Sequence, residues 1–350
     1  MSDTMTPLQR VLTTLGHKEP DRVPVFLLLT MHGAKELGLS LPEYYARPSN
    51  MAEAQLRMAD KFAHDCLYAF WYAAGESCAF GSEAIFFEDG PPNAGAPVAE
   101  RISDLLARPL PDPTRSSPLR ETIEAIELLS QRNRGHRPII GVVMAPFSLP
   151  IMLLGLERWI GALYEEPANA RRLVEHLGQF CAAWANAQLA AGANAIAFFD
   201  PMASATMVTP EQFKSFDLAA VTRTIGQIKG PCAFHFASGR AGPVVDLVPQ
   251  TGAAAVVVGA LDNLRAVKSA LRGRLGVLGT LNGIEMVRWT QAQAEAAVKD
   301  CIAAAAPGGG FILTDQHGEI PFYVPDETLH AIVAATRKWG QYPITWSGAR

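Results

Sequence analysis

Residues 188–216 read QLAAGANAIAFFDPMASATMVTPEQFKSF. A helix-favouring run ends at Gly192, the residue type that closes helices in the left-handed conformation. Residues 195–199, AIAFF, are apolar at every position, so a strand formed there is expected to be covered on both faces. Asp200 and Pro201 end it. Thr209 then stands before Pro210, a hydroxyl ready to cap the next helix and a proline suited to its first turn. A helix, a doubly buried strand and a new helix in close succession are the repeating unit of a parallel sheet wrapped in helices.

The same alternation extends in both directions. Apolar strand-like runs lie at 23–29, 65–70, 84–87, 138–144, 232–236, 254–258, 275–279 and 311–314. Helical patterns lie at 51–62, 119–131, 167–191, 210–229, 242–248, 262–271, 290–306 and 326–338, the helix at 290 capped by Thr290. Residues 90–118, rich in Pro and Ala, read as a long loop. Seven or eight strand–helix units without a GxGxxG turn favour a closed barrel over an open doubly wound sheet. The chain is therefore expected to be one (β/α)8 barrel domain over residues 1–350 with an N-terminal helical extension.

Composition narrows the class further. The chain is 350 residues long, 49% hydrophobic and 18% charged, with a formal net charge of -4. No basic surface for nucleic acid is indicated. No apolar run reaches the length of a membrane span, and the first residues carry charges rather than a signal-peptide core. The five cysteines are scattered without CxxC spacing, which suits a reduced, cytoplasmic location. HExxH, GxSxG and a lysine-bearing phosphate loop are all missing.

In this barrel class chemistry gathers where strands end. Asp200 ends the strand at 195–199, His235 falls at the end of the run from 232, Asn282 follows the strand at 275–279, and Asp315 and His317 follow the strand at 311–314. Ser204, Asp262 and Glu319 lie just beyond their strands, and His32 follows the first. Asp262 is read as the cap of its following helix. Asp200 is not, because several residues separate it from the next helix. His235 and His317 sit on different strands and are expected to converge on one cavity. Asp200, His235 and His317 are the catalytic candidates; Ser204, Asn282 and His32 are candidates for binding substrate. His17, His64, His136, His176 and His330 stand in helical or loop contexts and are assigned no chemistry.

Several blocks together carry a resemblance: TPLQRVLTTLGHKEPDRVPV (6–25), FEDGPP (87–92), APFSLPIMLLGLERWIGALYEEPANARRLVEHL (145–177), the block quoted first, and GGGFILTDQHGEIPFYVPDETLHAI (308–332). The chain resembles the uroporphyrinogen decarboxylase superfamily, on its corrinoid-dependent methyltransferase branch. The resemblance implies a (β/α)8 barrel, a methylcobalamin-type corrinoid supplied in trans by a separate protein, and a small acceptor such as a folate or thiol. Decarboxylases of the superfamily carry an arginine-bearing loop after the first strand, whereas this chain reads LLLTMHGAKELG at 27–38. They place an Asp where Tyr72 stands here, which makes Tyr72 a further catalytic candidate. The methyltransferase branch holds zinc with His-x-Cys after one strand and Cys after the last. The corresponding positions here are His235-Phe236-Ala237 and His317, so the resemblance leaves a zinc site of His235, His317 and a carboxylate, Asp315 or Glu319, or no metal at all. A decarboxylase or lyase, and a barrel that binds a tetrapyrrole or corrinoid without turnover, are the alternatives.

Overall fold

The computed structural model describes residues 3–70 and 72–347; the side chains of Tyr72 and Ala73 lie outside that description. Its strands are β1 (Leu67–Tyr68), β2 (Ala84–Ile85), β3 (Asn93–Ala94), β4 (Ile139–Met144), β5 (Ala195–Phe199), β6 (Cys232–His235), β7 (Ala255–Val257), β8 (Gly276–Leu281) and β9 (Phe311–Asp315). Seven of them pair in parallel in the order β1-β4-β5-β6-β7-β8-β9 and curl into a barrel wall.

Residues 23–29 occupy the gap between β9 and β1. The N–H of Leu313 donates to Pro24 O, Phe26 N–H donates to Leu313 O, and on the other side Asp65 N–H donates to Val25 O. Pro24 removes one donor from this segment, so pairing there is reduced to a single bridge rather than a ladder. The run at 84–87, expected as a strand, forms only the two-residue antiparallel pair of β2 with β3, apart from the seven-stranded sheet. That pair and the helix Ile102–Leu106 give structure to the segment read as a long loop.

Strand parity sorts the core. Phe26, Tyr68, Ile140, Val142, Ala197, Phe199, Val257, Leu278 and Ile312 point into the barrel, and their sequence neighbours pack outward under the helices. Several inward positions are small: Ala195, Ala197, Ala233 and Ala255. They leave an apolar cavity of about 90 Å³, closed from the N-terminal side by Leu8, Val11, Leu12 and Leu15 of the helix Pro7–Leu15. That helix, begun by a capping box of Thr6 and Gln9, is the expected N-terminal extension.

Helix caps follow the sequence at Gly192, Thr209 and Thr290. The expected helix at 242–248 is a 3-10 turn, Val245–Thr251, because Pro243 and Pro249 break α-type bonding. The helix from Pro210 is interrupted by a π-helical turn, Phe213–Leu218, and stops at Gly226. Asn263, not Asp262, caps the helix Leu264–Ala270. Asp262 instead accepts the N–H groups of Ala241 and Gly242 at 2.9 and 2.8 Å, clamping the loop after β6.

Candidate functional site

At the C-terminal ends of the strands lies a cavity of about 250 Å³. Val142 and Met144 of β4, Phe199 of β5 and Phe70 form its floor and walls, Met152 closes one side, and Pro92, Asn93 and Ala94 cover it. His317, Gly318 and Glu319 line it from the loop after β9. The lining is largely apolar, and among the described residues neither Lys nor Arg contributes to it.

His317 is the imidazole of this cavity. Its Nε2 lies 3.2 Å from Gln316 Nε2, and Gln316 is itself fixed by its Oε1, which accepts the N–H of Ala260. An amide nitrogen can only donate, so Nε2 accepts and the neutral ring keeps its proton on Nδ1. Nδ1 has no partner of its own. Burial lowers the His317 pKa, which favours the neutral ring with a spare donor at Nδ1.

His235 ends β6 at the same end of the barrel but does not share the cavity. Its ring stacks on Phe199, with centroids 3.9 Å apart and planes inclined by 19°. It lines the inner apolar cavity instead. Ala237 N–H donates to its Nδ1 at 2.9 Å, which leaves the proton on a partnerless, buried Nε2. Burial, followed by the nearby His317, pushes its pKa down to about 3. Gly318, at φ +85°, seals the partition: a side chain there would overlap the Phe199 ring and approach His235 Nε2 to 3.2 Å. The expectation that both histidines face one cavity is thus corrected. Phe199, the inward residue before Asp200, lines the cavity and stacks on His235.

The carboxylates are also engaged elsewhere, Asp315 through Oδ2 alone, its buried Oδ1 having no partner. Asp315 Oδ2 accepts the N–H groups of His317 and Gly318 at 2.7 and 2.9 Å, shaping the turn; burial raises its pKa to about 6. Glu319 accepts the N–H groups of Thr30 and Met31 at 3.0 and 2.9 Å and pairs with Thr30 Oγ1; burial pushes it up to about 8. Among the described residues no three His, Cys, Asp or Glu side chains are placed to hold one ion. The donor set His235, His317 and Asp315 or Glu319 does not fit zinc: one histidine lies under Phe199, and both carboxyls bind backbone.

The remaining candidates separate. Asp200 is fully buried and outside the cavity lining. Following inward Phe199, it takes the outward parity and meets Ser148, whose Oγ donates to it at 2.6 Å; it makes no side-chain cap. Ser204 donates to Pro201 O at 2.7 Å within its own turn. Asn282 caps the helix Gly283–Met286 through Ile284 N–H. His32 is buried outside the cavity lining, its ring 6.4 Å from Phe322, and burial lowers its pKa to about 4. Tyr72 begins the helix Tyr72–Ala79, and its side chain lies outside the described residues. Sequence reasoning missed Tyr68, whose hydroxyl donates to Gly318 O at 3.3 Å, and Gln316, which orients His317. Neither carries a motif. Tyr68 was legible only as one inward position of a strand.

The profile describing uroporphyrinogen decarboxylase (URO-D) matches residues 6–339. Curated relatives include the uroporphyrinogen decarboxylase of Thioalkalivibrio sulfidiphilus, 25% identical over 357 residues and covering 95% of this chain and 97% of its own length. That of Alkalilimnicola ehrlichii is 25% identical over 358 residues, covering 94% and 93%. Among solved structures, a methyltransferase from Methanosarcina mazei superposes with a TM-score of 0.85 at 20% identity, covering 95% of this chain and 99% of its own. A B12-independent methionine synthase from Shewanella sp. W3-18-1 reaches 0.56 at 12% identity, covering 91% and 94%. Because the matched profile runs from the N-terminal helix to the last helix, the chain belongs to the uroporphyrinogen decarboxylase (URO-D) family.

Proposed function

We propose that this chain is a methyltransferase, taking a methyl group from a methylated corrinoid carried by a separate protein and passing it to a small, largely apolar acceptor such as a thiol or a folate ring. The observation that supports this most is the cavity itself: about 250 Å³, apolar walls, one neutral imidazole and, among the described residues, no basic side chain in its lining. A porphyrinogen bearing several carboxylates needs cations to hold it, and the lining offers none. The fold shared with the Methanosarcina mazei methyltransferase supports the same choice within the family.

The chemistry asks little of the protein beyond position and one hydrogen-bond donor. The acceptor's lone pair forms the new bond to the methyl carbon, and the methyl group leaves its carrier without the bonding electrons. The acceptor's proton leaves to water at the mouth, and the deprotonated acceptor reacts beside the partnerless Nδ1–H of His317, whose neutral ring Gln316 holds through Nε2. Phe199, Met144 and Met152 exclude water around the acceptor. A corrinoid is far larger than this cavity, so it meets the acceptor from outside the mouth. No step runs through a bound metal.

Mass spectrometry of mixtures of the protein, methylcobalamin and candidate thiols or folates tests the reading. Stoichiometric methylated acceptor is expected, with a rate falling on the order of 10²–10³-fold in His317→Ala. No turnover with thiols, folates or a cognate corrinoid protein would sink it. Conversion of uroporphyrinogen to coproporphyrinogen would replace it with the decarboxylase activity for which the curated relatives are named.

A further inference from the structure

Behind the cavity wall, two acids meet without a base. Asp200, at the end of β5, and Asp217, in the π-helical turn, are both fully buried. Their carboxyls lie against each other, within reach of a hydrogen bond if one of them carries a proton. Ser148 Oγ donates to Asp200 Oδ1 at 2.6 Å and accepts Met202 N–H at 3.0 Å. No other donor reaches Asp200 Oδ2 or either oxygen of Asp217. Among the described residues no cation compensates them. From the long helix Pro167–Ala191 comes Cys181, whose thiol burial holds neutral and near which Glu76 also lies; Arg171 of that helix reaches only Ser215 and the Phe216 ring on the exposed side. Two carboxylates in contact in a dry site cannot both be ionised, and neutralising one turns repulsion into a strong hydrogen bond.

The contact ties together three pieces of chain. Asp200 N–H donates to His235 O at 2.8 Å, and the residues flanking Asp200, Phe199 and Pro201, both line the mouth cavity. The π-helical turn that carries Asp217 inserts an extra residue into a helix, a departure that often marks function.

We propose that Asp200 and Asp217 share one proton and act together as positioning residues, clamping the end of β5 so that Phe199 and Pro201 hold the cavity wall and Phe199 stays stacked on His235. The clamp belongs to the cavity assigned above, but its test needs no turnover, so it fails or stands apart from the methyl-transfer reading. Burial, the largest influence on both carboxyls, raises both, Asp200 to about 6.

Asp217→Asn retains an amide that can donate to Asp200 without a shared proton, and Asp217→Ala removes the contact. At pH 7 the infrared difference between the aspartate-labelled wild type and Asp217→Asn is expected to contain the carbonyl band of a protonated carboxylic acid. The melting temperature of Asp217→Asn relative to wild type is expected to climb between pH 4 and pH 8 by at least about 2 °C, because only the wild type must retain a proton to stay folded. In histidine-labelled protein the His235 ring signals are expected to shift in Asp217→Ala and to return in Asp217→Asn. A spectrum without the acid band overturns the shared proton. Unmoved His235 signals in Asp217→Ala overturn the positioning role. If the alanine variant does not fold, the wild-type and asparagine spectra still decide.

Discussion

At Glu319 a single carboxyl meets the polar groups of one turn: the N–H groups of Thr30 and Met31 and the Thr30 hydroxyl. It fastens the loop after β9 to the start of the helix His32–Leu37. Burial pushes its pKa up to about 8, so at pH 7 the protonated form prevails and its O–H donates to the Thr30 hydroxyl, which then accepts. Gln reproduces that form, with Oε1 accepting and Nε2 donating. Glu319→Gln is therefore expected to match wild-type stability near pH 5. The sign at higher pH follows from the raised value: the wild type loses stability relative to Glu319→Gln as pH rises from about 4.5 to about 8. Glu319→Ala leaves buried donors unmade and is expected to cost about 2–4 kcal/mol. Urea denaturation at pH 5 and pH 8.5 checks both, and parallel wild-type and Gln curves at the two pH values would contradict the assignment.

Barrel closure is decided between elements. Residues 23–29 bring little ladder of their own, so the fastening comes from below. Asp65, just before β1, accepts Arg10 Nη1 and Arg22 Nη1, each at 2.7 Å, and the N–H of Val25 at 2.8 Å. Asp21 also holds Arg10, at 2.6 Å, and that guanidinium, with backbone donors, draws the Asp21 pKa down to about 2 against the opposing effect of burial. One carboxylate thus joins the N-terminal helix, the closing segment and β1. Asp65→Ala would leave two buried guanidinium groups with only the less buried carboxylates Asp21 and Asp3 and is expected to cost about 3–5 kcal/mol, read as a lower urea midpoint. A change below 1 kcal/mol would show that closure rests on apolar packing instead. The pattern at 210–229 predicted a helix but not its π-helical turn. One signal was present: Phe213, Phe216 and Ala220 define the buried face, and Asp217, four residues after Phe213, falls on it.

For the whole molecule, one buried apolar cluster runs from Val23 through the helices and outer strand faces to Ile344. A second fills the barrel interior, including Val11 from the N-terminal helix. No exposed linker separates the N-terminal helix from either. The chain is accordingly expected to unfold as one domain, with a single calorimetric transition between about pH 6 and 8. Two resolved transitions would divide it. Among the described residues no helix is long and apolar enough to cross a membrane.

The sequence by itself determined the alternation of elements, because doubly apolar runs and amphipathic helices state their burial locally. It also determined the caps at Thr209 and Thr290, where a side chain answers its own backbone, and the family, carried by blocks spread along the chain. It put His317 on the loop after the last strand, and the structure has that residue lining the cavity. It did not determine which strand-end side chains share a space. That depends on parity at the last strand residue and on what stacks there: Phe199 covers His235, and Asp200 turns outward to Asp217. Nor could it tell a free carboxylate from one already bound to backbone, as at Asp315 and Glu319. Such partners lie in other turns of the chain, up to 289 residues away for Glu319 and Thr30, and only the closed barrel brings them within a hydrogen bond.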